Sequence, residues 1–204
     1  MVDIRSLSPR AGDVVLLVGT TKGAFLFRSG PTRGRWERGG PHFPGHAVYA
    51  MAYDGRAGRR RLWAAPESMH WGSVMRSSDD FGRTWTQDDE GNVRFPGDTG
   101  KSLQRIWQIA GRDDDPQTMY CGVEPAALFE SRDAGASWSL VKGLWDHPHR
   151  KQWQPGGGGL LQAAGDQVGH RPLHGPSLLT WGHQVGGHED AELVQLPNRL
   201  QQRA

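Results

Sequence analysis

An eight-residue motif that occurs twice is the feature that most limits how this chain can fold. S-D-D-F-G-R-T-W occupies positions 78–85, and S-R-D-A-G-A-S-W occupies positions 131–138, 53 residues later. A weaker copy, S-G-P-T-R-G-R-W at 29–36, keeps the serine, a glycine and the tryptophan but lacks the aspartate. Repetition at about 50 residues indicates one structural unit per copy, each unit burying its apolar face against its neighbours.

The residues around each copy have the pattern of short strands. Two apolar segments separated by a polar or Gly/Pro break precede each copy, and further strand-like segments lie upstream at 48–53 and 105–110. The 29 glycines and 13 prolines also favour short strands joined by turns. Four strands per 50 or so residues is typical of a propeller blade. We therefore predict an all-β fold, a partial β-propeller of about three four-stranded blades followed by an irregular C-terminal tail.

The motif residues have architectural roles in this interpretation. In a tight turn, an aspartate accepts hydrogen bonds from backbone N–H groups, a glycine supplies positive φ, and a serine hydroxyl bonds the same turn. The tryptophan packs between neighbouring sheets. The predicted structural residues are Ser78, Asp80, Gly82, Trp85, Ser131, Asp133, Gly135 and Trp138.

The pattern divides the chain into three parts. Residues 1–12 form an N-terminal segment, 13–160 carry the blades, and 161–204 contain no further motif. We expect 161–204 to be irregular, from a truncated or frame-shifted reading; a divergent fourth blade is the alternative. The tail holds four of the nine histidines, at 170, 174, 183 and 188. Their spacing fits no metal-binding pattern, so no metal and no cofactor are predicted.

Composition limits the possible partners. With 24 basic and 22 acidic side chains the net charge is only +2, which gives little reason to expect nucleic acid or a membrane as a partner. The basic run at 56–61 is interpreted as a solvated turn. Cys121 stands alone in a strand-like context and is predicted to be a buried thiol. The apolar run at 14–19 is too short to span a bilayer, and we expect a cytoplasmic protein.

The two complete motifs resemble the Asp box, or bacterial neuraminidase repeat, of the sialidase-like propeller superfamily. The segments at 122–129, 143–150 and 153–160 resemble a bacterial group often labelled glycosyl hydrolase or exo-alpha-sialidase. That superfamily includes binding proteins as well as enzymes. A sialidase needs an arginine cluster and a tyrosine nucleophile. The arginine motif is absent near the first blade, and all three tyrosines lie in strand-like contexts, so the resemblance does not carry the sialidase machinery across.

Two groups of residues are candidates for function. Glu67 and Glu124 lie in hairpin loops that share one rim, where they form a candidate acid/base pair. The candidate binding residues near them are His70, Trp71, Arg105 and Trp107. The alternative is that both glutamates are solvated hairpin charges or members of structural salt bridges.

The second group lies in the polar and aromatic segment 145–159, where Asp146, His147 and His149 are candidate binding residues. The alternative there is a packed loop between blades.

Two functions fit these patterns. One is a binding or scaffold module without catalysis of its own, which holds a glycan or a protein ligand at the propeller rim. The alternative is a glycoside hydrolase resembling an exo-sialidase, with its glycan at the central cleft.

Overall fold

The computed structural model describes residues 7–68, 72–87, 92–152, 178–179 and 190–195. These residues form three antiparallel sheets. We name them blades 1, 2 and 3, in the order in which the first strand of each sheet occurs along the chain. The first strand of blade 2 packs against blade 1 on one side and blade 3 on the other. This arrangement is the predicted partial β-propeller.

Blade 1 has five strands in the order β12-β13-β1-β2-β3. The strands are β1 Val14–Thr20, β2 Gly23–Ser29, β3 Trp36–His42, β12 Leu178–Leu179 and β13 Asp190–Gln195. The strand β13 runs antiparallel to β1 from Val14 to Gly19.

The two strands near the C-terminus correct one expectation. Residues 161–204 were expected to be irregular, yet 178–179 and 190–195 form strands of blade 1. The physical reason is that β1 would otherwise present a free edge of backbone N–H and C=O groups, which an extended segment can pair. The rest of 161–204 lies outside the described residues, so the proposed boundary at 160 stays a prediction.

Blade 2 departs from the predicted four strands. It consists of β4 Ala47–Asp54, β5 Arg61–Ser68, β6 Gly72–Ser73 and β7 Arg76–Ser78. Both β6 and β7 pair with β5, so they share one strand position. After Trp85, the described residues 86–87 contain no strand. The Thr86 N–H nevertheless donates to the Ser77 carbonyl of β7 at 2.9 Å.

Blade 3 has the predicted four strands in the order β11-β10-β9-β8. They are β8 Arg105–Gly111, β9 Met119–Glu124, β10 Ala127–Ser131 and β11 Ser139–Leu140. A short helix α1, Lys142–Trp145, follows β11. Short 3-10 helices span Arg56–Gly58, Gly97–Thr99 and Pro148–Gln152. No helix in the described part of the chain is long and apolar enough to cross a membrane.

The hydrophobic core lies between the blades. Leu17 and Leu26 of blade 1 pack with Leu62 of blade 2, and all three side chains are 0% exposed. Between blades 2 and 3, Trp63 packs in one cluster with Phe129. Full burial of such an apolar side chain contributes roughly 1.5–3 kcal/mol, so these interfaces hold the blades together.

Both complete motifs form the predicted turn, with nearly identical hydrogen bonds. In the first, the Thr84 N–H donates to Asp80 Oδ1 at 2.9 Å, and the Gly82 N–H donates to Ser78 Oγ at 2.8 Å. The residue before each motif glycine, Phe81 or Ala134, has positive φ as well as the glycine.

The second turn repeats these contacts. The Ser137 N–H donates to Asp133 Oδ1 at 2.8 Å, and the Gly135 N–H donates to Ser131 Oγ at 2.8 Å. The predicted local roles of the aspartates, serines and glycines are therefore present in both turns.

The motif tryptophans pack toward the preceding blade. Trp138 is 9% exposed, joins the core between blades 2 and 3, and donates its Nε1–H to the Gly135 carbonyl at 3.2 Å. Trp85 lies against Phe43, with ring centroids 4.8 Å apart, at the interface of blades 1 and 2. Trp36, in the weak copy, is instead 38% exposed.

The basic run at 56–61 is not the solvated turn expected from sequence. Arg56 donates Nη1–H to the carbonyls of Arg112 and Thr118 at 2.7 and 2.9 Å, and Arg59 donates to the Pro116 carbonyl at 2.6 Å. Both arginines also pair with buried Asp54. Arg56 and Arg59 therefore connect blade 2 to blade 3, because their guanidinium groups donate hydrogen bonds to backbone carbonyls of the turn between β8 and β9.

Cys121 is 0% exposed, and burial raises the pKa of its thiol, as expected for a structural cysteine.

Candidate functional site

The candidate site lies at the face of the propeller opposite the two motif turns. Antiparallel pairing places the start of each first strand beside the end of the second strand, and the motif turns follow the third strands at the other face. In the register, Ala47 pairs with Glu67 and Arg105 pairs with Glu124. Residues separated widely in sequence therefore meet at one rim.

The side chain of Arg105 joins the two candidate carboxylates. Its Nε donates to Glu67 Oε2 at 2.8 Å and its Nη2 to Glu67 Oε1 at 3.2 Å, while Nη1 donates to Glu124 Oε2 at 3.3 Å. Glu67 belongs to blade 2 and Arg105 to blade 3, so this cluster also bridges two blades. Bidentate pairing of a guanidinium with a carboxylate fixes both groups in orientation as well as in charge.

Two aromatic rings flank the guanidinium. The Arg105 Cζ lies 4.4 Å from the ring centroid of Tyr49 and 4.8 Å from that of Trp107. The two rings contact each other edge to face, with centroids 5.4 Å apart. We name Tyr49, Glu67, Arg105, Trp107 and Glu124 the Arg105 cluster.

Irregularities in two strands place these rings. The β4–β5 register shifts between Val48 and Met51, and the β8–β9 register shifts between Ile106 and Gln108. Tyr49 and Trp107 lie in these bulges, which rotate a side chain away from the regular alternation. Sequence reasoning named Trp107 but not Tyr49, because a bulge leaves no pattern in a short strand.

The strand register also identifies the residue of blade 1 that corresponds to Glu67 and Glu124. Counting back from the motif serines places Lys22 level with Glu124, but the strand pairing places Gly19 level with Glu67 and Glu124, because the β1–β2 hairpin is longer. A Cβ on Gly19 would lie 2.3 Å from the Val48 carbonyl oxygen. Blade 1 therefore has no room for a third carboxylate at this position.

The electrostatics of the cluster are those of a satisfied ion pair. The hydrogen bond to Glu67 is the main cause that raises the pKa of Arg105, and the charge of Glu124 adds to it. The exposed side-chain fractions are 27% for Arg105, 24% for Glu67 and 9% for Glu124. Both carboxylates therefore accept hydrogen bonds from one guanidinium, which fixes their orientation at the rim.

The structure brings together four of the predicted rim residues, Glu67, Arg105, Trp107 and Glu124. The other two, His70 and Trp71, lie outside the described residues. The pairing of both glutamates with Arg105 corresponds to the structural salt bridge that was the alternative interpretation of these residues.

The second predicted group follows α1, where Asp146, His147 and His149 are exposed. Asp146 and His147 line a shallow surface depression of about 370 Å³ together with Trp145, Pro148 and Arg150. His147 Nδ1 accepts the His149 backbone N–H at 3.2 Å. No group of three or more potential metal ligands occurs among the described residues.

Comparisons with known proteins found two solved structures to which part of this chain is similar. No family model and no curated protein matches the chain. The GH74 xyloglucanase from Xanthomonas campestris is similar over 63% of this chain and 21% of its own, with 17% identity and a TM-score of 0.46. YCF48 bound to D1 peptide is similar over 68% of this chain and 45% of its own, with 14% identity and a TM-score of 0.40. The chain thus spans less than half the length of either structure.

Proposed function

We propose that this chain is a β-propeller binding module that holds a glycan at the Arg105 cluster without performing chemistry on it. The observation that carries the proposal is the shared pairing of Glu67 and Glu124 with one guanidinium. That pairing fixes the orientation of both carboxylates at the rim.

The chemistry of the cluster suits a ligand with many hydroxyl groups. Three charged side chains lie at one rim, where Arg105 and Glu67 are partly exposed and Glu124 is buried beside them. A carboxylate has about four lone-pair positions, so acceptor capacity remains for sugar hydroxyls after Arg105 is bound. The rings of Tyr49 and Trp107 pack against the Arg105 guanidinium and supply apolar surface for contact with the ligand.

A panel of immobilised oligosaccharides, followed by titration calorimetry of the best binder, tests the proposal. Glu67→Gln keeps the shape of the side chain but removes its charge, and we expect it to weaken binding about tenfold. Arg105→Gln should abolish detectable binding.

The matched control is Arg112→Gln, since Arg112 lies at the other end of β8 and forms its own exposed ion pair with Asp114. Equal affinity in all variants, or capture of peptides and no glycan, would overturn the proposal.

A further inference from the structure

Hydrogen-bond register gives a residue-by-residue correspondence between the three blades. The first residue of each motif copy is a serine at the end of a strand. Ser29 pairs with Val14 in blade 1, Ser78 with Leu62 in blade 2, and Ser131 with Met119 in blade 3. Counting along the strands from these pairs aligns every neighbouring position. Each blade then has a front face, toward the preceding blade, and a rear face, toward the following blade.

Rear-face positions are buried wherever a blade follows. In blade 2, Trp63 and Met75 are 3% and 2% exposed against blade 3. The corresponding residues of blade 1, Val15 and Leu26, are 1% and 0% exposed against blade 2. In blade 3 the same positions are Tyr120 and Leu128, which are only half-buried.

Front-face positions show the same contrast at the other end of the array. In blade 3, Phe129 and its partner Cys121 are both 0% exposed against blade 2. The corresponding pair in blade 1, Phe27 and Leu16, is half-buried.

The motif tryptophans give the clearest case. Trp138 is 9% exposed because it packs on blade 2, whereas its equivalent Trp36 is 38% exposed. Trp36 is the one large apolar side chain that counts as exposed among the described residues.

The geometry points to a second copy of this chain as the partner of these two faces. The front of blade 1 and the rear of blade 3 are the two halves of the interface that the chain already makes twice internally. Each free face is therefore complementary to the other and not to itself, so a second copy binds front to rear.

Two copies joined in this way at both ends close a ring of six blades with twofold symmetry. Six lies within the usual range of about four to eight blades. The net charge of +2 per chain opposes this association only weakly. In the closed ring two Arg105 clusters face one central channel, related by the twofold axis.

Sedimentation velocity on the full chain tests this inference across a concentration series up to about 100 μM. We expect a species of twice the 22.5 kDa chain mass. Trp36→Asp on the front face and Leu128→Asp on the rear face should each weaken that dimer tenfold or more. Lys22→Asp, in an exposed turn, is the matched control and should leave it unchanged.

Mixing the two variants separates front-to-rear contact from other arrangements. Trp36→Asp keeps an intact rear face and Leu128→Asp an intact front face, so the mixture should form a heterodimer that neither variant forms alone. Circular dichroism of each variant confirms that it is folded. A wild-type chain that stays monomeric throughout the series would overturn the inference. A dimer lost with Trp36→Asp but unaffected by Leu128→Asp would overturn it as well, since that pattern indicates front-to-front contact.

Discussion

Arg105 and Glu67 connect two blades through a pair of hydrogen bonds, from Nε to Oε2 at 2.8 Å and from Nη2 to Oε1 at 3.2 Å. The same guanidinium reaches Glu124 at the end of its own blade. The contact therefore has two roles: it stabilises the packing of blades 2 and 3, and it sets the charge distribution at the candidate site.

Arg105→Ala should destabilise the fold, because it leaves the buried Glu124 without its counter-charge and removes the bridge to Glu67. We expect a loss of about 2 kcal/mol in the free energy of unfolding, measured by urea titration. Arg112→Ala removes an exposed ion pair at the other end of the strand and should change the urea midpoint far less. Equal effects of the two substitutions would show that the bridge adds no more stability than an exposed ion pair.

Trp138→Ala should cost about 3–5 kcal/mol, because it removes a buried aromatic side chain from the core between blades 2 and 3. Trp36→Ala is the matched comparison at the equivalent position of blade 1, where the side chain is 38% exposed. In dilute solution, where the chain is monomeric, this second substitution should be nearly neutral. Thermal unfolding of both variants measures the difference, and similar losses would contradict the assigned packing.

The two motif turns should make stability depend on acid. Burial opposes ionisation of Asp80, but hydrogen bonds from Thr84 and Ser78 outweigh it and lower its pKa below the ordinary 3.8. Hydrogen bonds from Ser137 lower the pKa of Asp133 in the same direction. A lowered carboxyl pKa contributes stability that is present above the unfolded value and is lost as pH falls through the folded value.

Urea midpoints measured between pH 7 and pH 2.5 test this dependence. We expect the wild-type midpoint to fall below about pH 4, and Asp80→Asn to reduce that fall. At pH 7 the same variant should lose about 1 kcal/mol through weaker hydrogen bonding. A variant with the full wild-type acid dependence would contradict the role of Asp80.

His42 should add a second pH dependence nearer neutrality. Its side chain is buried, burial lowers its pKa below the ordinary 6.5, and within the described chain its Nε2 has no hydrogen-bond partner. The unfolded state therefore binds a proton more readily, so stability is full above pH 6.5 and falls as pH decreases through the folded pKa. His42→Leu should flatten the change in unfolding midpoint between pH 7.5 and pH 5.5; an unchanged slope would exclude His42 as its source.

Much of the fold could be predicted because the decisive signals are local. The motif residues Asp80 and Asp133 form their hydrogen bonds within four positions along the chain, so the pattern alone specifies the turn. The meeting of Glu67 and Glu124 at one rim also followed from strand order, since antiparallel pairing determines which strand ends share a face.

Other features depend on contacts that sequence does not display. Arg56 binds backbone carbonyls 56 and 62 positions away, and a carbonyl has no residue identity to detect. Tyr49 enters the site through a bulge, and the position of a bulge is set by packing between sheets. The correspondence of Gly19, and not Lys22, with Glu124 also requires the strand register, because the number of residues between the motif serine and this position differs from blade to blade.

The central claim is that the Arg105 cluster binds without catalysing, and a turnover assay tests it most directly. Purified chain is incubated with a fluorogenic sialoside, with Glu124→Gln measured in parallel. We predict no release above the rate without protein and no difference between the two proteins, because both carboxylates are held by Arg105. Release by the wild-type chain that disappears in Glu124→Gln would contradict this account and identify Glu124 as a catalytic group of a glycoside hydrolase.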